Sequence, residues 1–126
     1  MVTSLYRIRF AKIFSMTDKI VVFSTCATED EAGRLARLLI DERVAACVSV
    51  VPGLRSFYRW KDAVETSAEC LLVIKSSREL FASLAAVIEK AHSYEVPELI
   101  ALPVVEGSAN YLNWLQSNLL DSQGAD

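Results

Sequence analysis

KIVVFST, residues 19 to 25, is a β-branched run bounded by polar residues, and this pattern predicts a buried strand. Thr28 followed three residues later by Glu31 has the form of a capping box, so a helix is expected to start there. Ala32, Leu35, Ala36, Leu39 and Ile40 recur at helical spacing behind it, and Glu29, Asp30 and Glu31 complement the positive end of the helix dipole. After Arg43 the pattern returns to strand with VAACVSVV, then Pro52-Gly53, then LRSFYRW. Proline cannot donate to a ladder, so Pro-Gly at that point predicts a bulge or bend. KDAVETSAECLLVIKS follows after a short link near Trp60-Lys61-Asp62, which makes the two runs a long β-hairpin. Ser77 opens a second helix with Leu80, Leu84, Val87, Ile88 and Ala91 on one face. Pro97 ends any helical option, ELIALPVV (98 to 105) reads as a fourth strand, and a short amphipathic helix carries Tyr111, Leu112, Trp114 and Leu115.

The order β-α-β-β-α-β with an extra C-terminal helix is the ferredoxin-like pattern of the α+β class. Two helices then cover one face of an antiparallel sheet. The apolar run Leu71 to Ile74 places large residues on both faces, so the second face calls for a cover, most economically a partner subunit.

At 126 residues, 52% hydrophobic and 23% charged, the chain suits one compact domain. That domain is expected over 17–120, after an N-terminal extension (1–16) and before a tail (121–126). Residues 1 to 15 carry Arg7, Arg9 and Lys12 and no acid, the character of a short organelle leader or of an inert extension before Met16. No apolar run approaches the roughly 20 residues of a membrane helix, so the expectation is a soluble, cytoplasmic protein, with organelle targeting by residues 1–15 as the alternative. Without the first fifteen residues, ten basic residues face sixteen acidic ones, a formal charge of −6. A phosphate-backbone binder needs the opposite balance, so nucleic acid is not an expected partner. The odd, widely spaced Cys26, Cys47 and Cys70 read as reduced thiols.

Several chemistries common on this fold find no motif. A copper carrier needs two thiolates in the first loop, where STCATEDEA offers Cys26 alone. An acylphosphatase-like site needs an arginine and a backbone cradle that the same loop lacks. SFYRW has aromatic residues on a strand but no RNA-binding signature, so Phe57, Tyr58 and Trp60 read as packing or interface residues. No acid–base pair or activated nucleophile stands out, and the chain is not expected to be an enzyme.

AHSYEVPELIALPV, residues 91 to 104, holds the single histidine, His92, beside Tyr94, Glu95 and Glu98. One reading is a corner where a helix hands over to a strand, with Glu95 and Glu98 meeting Arg59, Lys61 or Lys75. The other is a divalent-cation site on imidazole and carboxylate.

RVAACVSVVPGLRSFYRW, LLVIKS and HSYEVPELIALPVVEGSANYLNWL, with the LARLLI helix before them, resemble the CutA family of divalent-cation tolerance proteins from about Lys19 to Leu119. The resemblance implies a tight homotrimer of PII-like architecture, with Tyr58, Trp60, Tyr94 and Trp114 in the inter-subunit region. It places His92 at the family's histidine. Members with a proposed copper set carry a cysteine and a second histidine where this chain has Ser24 and Ala91, and Ser93 stands where proline is common. Cys26 is then a partial replacement, while Cys47 matches a family cysteine and reads as core packing. The function implied is non-enzymatic divalent-metal (copper) tolerance, with His92, Cys26 and Glu95 as candidate ligands of Cu(II) or another divalent cation and no required cofactor. The alternative is a PII-like sensor or scaffold that takes a small ligand or protein partner in inter-subunit clefts, through Lys75, Tyr94, Trp60 and Glu98.

Overall fold

The computed structural model describes residues 17–121; the leader reading of residues 1–15 and most of the expected tail lie outside the described residues. Four strands form one sheet in the order β2-β3-β1-β4, every neighbour antiparallel. They are β1 Lys19–Cys26, β2 Cys47–Trp60, β3 Ala63–Ser77 and β4 Ile100–Pro103. The helices are α1 Glu29–Asp41, α2 Phe81–Ala91 and α3 Ala109–Ser117, with a 3₁₀ turn Arg78–Leu80 leading into α2. The α+β class and the expected order of elements are present.

Thr28 caps α1, its hydroxyl accepting from the Glu31 N–H at 3.1 Å. The Glu31 carboxylate turns back to the Ala27 backbone and also serves a distant segment, described below. Leu35 and Leu39 enter the core with Val22, Leu72, Ile74, Leu84 and Ile88, whereas Ile40, expected on that face, is exposed. The α1 and α2 layer covers one sheet face only. The other carries Val21, Phe23, Leu71 and Val73, half-buried, and Ile100 and Leu102, exposed.

The hairpin turn at Lys61 and Asp62 has both residues at positive φ (51° and 66°), the primed geometry whose twist matches the flanking strands. Below it, pairing steps from Val51↔Leu71 to Leu54↔Glu69, so β2 holds one extra residue at Pro52-Gly53, with Gly53 at φ 82°. That bulge decides which face the hairpin tip presents. Side chains alternate faces, so one inserted residue moves Tyr58 and Trp60 onto the face shared by Glu69 and Leu71. The last strand is shorter than its apolar run promised. Glu98 was expected to enter it but lies in the connector before Ile100, because only Ile100 to Pro103 find partners on β1.

Candidate functional site

The connector from α2 to β4 is fixed by three consecutive residues, each tied to a different element. His92 ends α2 and turns extended, its N–H still donating to the Ile88 carbonyl at 2.8 Å. Its buried ring has Nε2 2.8 Å from the Thr25 carbonyl on β1. A carbonyl only accepts, so Nε2 carries the hydrogen. Nδ1 accepts from the Tyr94 N–H at 3.0 Å. Ser93 next donates its N–H and its hydroxyl to the Glu31 carboxylate, at 2.8 and 2.9 Å. Burial alone would raise the Glu31 carboxyl, but the two Ser93 donors hold it below the ordinary carboxylate range. Tyr94 then donates its phenol to Glu69 on β3 at 2.6 Å. Burial, reinforced by that bond and the Glu69 charge, pushes the Tyr94 phenol well above its ordinary value, so it stays a donor.

These ties hold the connector against the raised hairpin and leave a groove of about 860 Å³ between them. Tyr58, Trp60, Tyr94, Glu95 and Glu98 line it. Glu69, which sequence reasoning missed, forms its floor, at only 8% exposure. Three carboxylates and several aromatic rings line the groove, with no basic side chain among its lining residues. The space is of the size that takes a small molecule, and its field favours cationic groups that also find aromatic faces. Two predicted members stand elsewhere. Lys75 sits far along β3, paired with Val21 and Cys47, and Trp114 lies on α3, stacked on Tyr111 with centroids 5.6 Å apart.

The expected metal ligands do not converge. Both His92 nitrogens are committed, Cys26 is buried with its thiol donating to the Thr28 carbonyl, and Glu95 is exposed on the groove rim. Among the described residues no group of three His, Cys, Asp or Glu side chains is placed to hold a metal ion. Tyr94→Phe is expected to lower folding stability by about 1–2 kcal/mol, because Glu69 stays buried after losing its donor. Urea unfolding at fixed subunit concentration reads this directly, and an unchanged midpoint would show the pair to be unimportant.

The family model described as CutA1 divalent ion tolerance protein matches residues 20–118. The chain belongs to the CutA1 family. It is 44% identical over 98 residues to the divalent-cation tolerance protein CutA of Thermus thermophilus, covering 78% of this chain and 95% of that relative. Protein CutA 1, chloroplastic, of Oryza sativa is 43% identical over 103 residues, and the match covers 82% of this chain but 58% of the rice protein. Solved CutA structures superpose on the same region. The Thermus protein gives a TM-score of 0.79 at 42% identity, covering 80% of this chain and 98% of its own. The rice CutA1 gives 0.80 at 42%, covering 83% and 97%. The groove and the connector lie inside the segment that the CutA1 family model matches.

Proposed function

We propose that this chain acts without catalysis, as a homotrimer, in tolerance of divalent cations, and that cations are received in the acidic aromatic groove at the subunit boundary. The observation that carries the reading is the unlayered apolar sheet face of Val21, Phe23, Leu71, Val73, Ile100 and Leu102. It runs on along β3 to Glu69 and the exposed Tyr58 and Trp60 of the hairpin. Isolated soluble subunits seldom leave a continuous apolar face of this extent open. A second copy covers it with the matching surface, and the groove then lies between subunits. The name divalent-cation tolerance protein, carried by the Thermus relative, supplies the functional class. Glu69, Glu95 and Glu98 supply the charge that cations need, and residues of an adjoining copy complete their coordination.

The absence of catalysis is supported by the state of the nucleophile candidates. Burial pushes the Cys26 thiol up to about 11, far from the depressed range of reactive thiolates. The chemistry of the groove also favours a second reading, a PII-like sensor that takes a small organic cation there, because aromatic faces add to the carboxylates.

Calorimetric titration with Cu(II) and Zn(II) tests the cation reading. Whole-number binding per subunit is expected, retained in His92→Asn and lost in the double variant Glu95→Gln/Glu98→Gln. Binding lost in His92→Asn and kept in the groove variant would return the site to the histidine. No binding of either ion would leave the small-ligand reading.

A further inference from the structure

Cys26 and Cys70 face each other at the end of the β1–β3 ladder. Directly opposed residues project from the same sheet face, and both thiols lie in the core cluster under α1, Cys26 fully buried and Cys70 nearly so. The kind of pair follows from a bond just beyond the ladder. Arg78 N–H donates to the Asp18 carbonyl at 2.8 Å, and 18 and 78 continue the same register. Hydrogen-bonded and non-hydrogen-bonded pairs alternate, so 18–78, 20–76, 22–74, 24–72 and 26–70 all belong to the hydrogen-bonded set.

That assignment decides between two fates of a dithiol. Hydrogen-bonded pairs hold their Cα atoms about 5.5 Å apart, with Cβ atoms at the wide end of about 4.5–5.5 Å. That Cα spacing lies within the disulfide range, but a disulfide also needs Cβ atoms about 3.8 Å apart, and the paired strands resist being pinched together. Two sulfurs bridged by one ion sit farther apart than two bonded sulfurs and fit the wider spacing. Both thiols are also kept protonated. Cys26 is raised by burial and then by Glu31 and Cys70, and Cys70 by burial, Glu29 and Glu69. The Ser24 hydroxyl, the only buried side-chain oxygen without a partner among the described residues, lies one pleat along the same face of β1.

Coordination number and charge select the ion. Two sulfurs with no third ligand exclude a tetrahedral Zn(II) and the oxygen-seeking cations. A soft monovalent ion on two thiolates leaves a net negative charge in an apolar core beside Glu31 and Glu69, which is costly. A soft divalent ion leaves a neutral complex. We propose that Cys26 and Cys70 form a two-thiolate site for a soft, linearly coordinating divalent cation of the Hg(II) class. Binding exchanges protons only: one M²⁺ replaces two S–H protons, two M–S bonds form, and nothing is oxidised or reduced. The inference rests on the divalent-cation reading of the chain but uses a different site from the groove.

The test uses the full-length Cys47→Ser chain, which removes the third thiol. A thiol count on the unfolded, metal-free chain comes first and is expected to give two; a count of zero would mean a disulfide and overturn the proposal. Titration with HgCl₂, read by sulfur-to-mercury charge-transfer absorption, is expected to saturate at one ion per subunit and to raise the melting temperature. The ion is expected to stay bound through gel filtration in a tenfold excess of free cysteine. Cys26→Ser and Cys70→Ala, each added to that chain, are expected to release it at least about a hundredfold more readily, since a monodentate site lacks the effective concentration of the second thiol. Two ions per subunit, no binding to the folded chain, or equal retention in either single variant would overturn the site. If a single variant misfolds, stoichiometry and the melting shift of the Cys47→Ser chain still decide. Failure here with Cu(II) or Zn(II) binding intact in the groove would leave the proposed function standing, whereas loss of both would remove it.

Discussion

His92→Ala is expected to lower folding stability by about 3–4 kcal/mol, the largest effect of any polar substitution in this chain. The ring is buried and satisfies two backbone groups at once, the Thr25 carbonyl at 2.8 Å and the Tyr94 N–H at 3.0 Å. Removing it leaves both orphaned at about 1–3 kcal/mol each and opens a cavity between β1 and the connector. A ring that served mainly as a metal ligand would behave in the opposite way: its loss would abolish binding and barely touch the metal-free fold. Denaturant unfolding of the metal-free protein separates the two. The neighbouring Glu31 adds a pH signature. Its carboxyl is held below the ordinary range in the folded state, so its contribution is full above the unfolded value of about 4.3 and is lost as pH falls through the folded value. Wild type is therefore expected to lose stability on acidification below about pH 5 more steeply than Glu31→Gln, which has no carboxyl to protonate. Parallel pH profiles would show that Ser93 does not hold Glu31 as described.

The second large effect concerns assembly. Leu72 and Val73 are adjacent on β3 and point to opposite faces, Leu72 into the core under the helices and Val73 onto the unlayered face. Val73→Glu is expected to leave the subunit folded, because that side chain is only half-buried in one copy. In the assembled state it places an unpaired carboxylate in an apolar contact, at several kcal/mol per subunit. Since each 1.4 kcal/mol is a factor of about ten, the association constant is expected to fall at least about a thousandfold. Circular dichroism unchanged beside a reduced mass in solution is the expected pair of results. An unchanged mass would place the subunit contact elsewhere.

What was legible in the sequence was what local chemistry determines. The Thr28 cap, the short hairpin link near Lys61-Asp62 and the Pro52-Gly53 bulge depend on residues next to each other in the chain, and each stands where its pattern placed it, the primed geometry of the link being added by the structure. Glu31, Glu69 and Cys70 were not read as site residues, because their roles depend on partners far along the chain: Ser93 lies 62 residues from Glu31, and Tyr94 lies 25 from Glu69. The one local hint was Glu69 itself, an acid pressed against the apolar run Cys70 to Ile74. His92 was read as a helix end and as a candidate ligand, and its geometry expresses the first of these; hydrogen bonds to both nitrogens leave no lone pair free. The separation of Lys75 and Trp114 from the groove has a similar origin, since strand register decides where they stand. Tyr58 and Trp60 reach the groove face only because the bulge shifts the alternation by one.

The central claim is that the bare sheet face is covered by further copies of the same chain. Multi-angle light scattering on the eluting wild-type protein tests it most directly. A single species at three times the 14.0 kDa subunit mass, stable on dilution, is the predicted result. A species at one subunit mass with Val21, Phe23, Leu71 and Val73 open to solvent would contradict it.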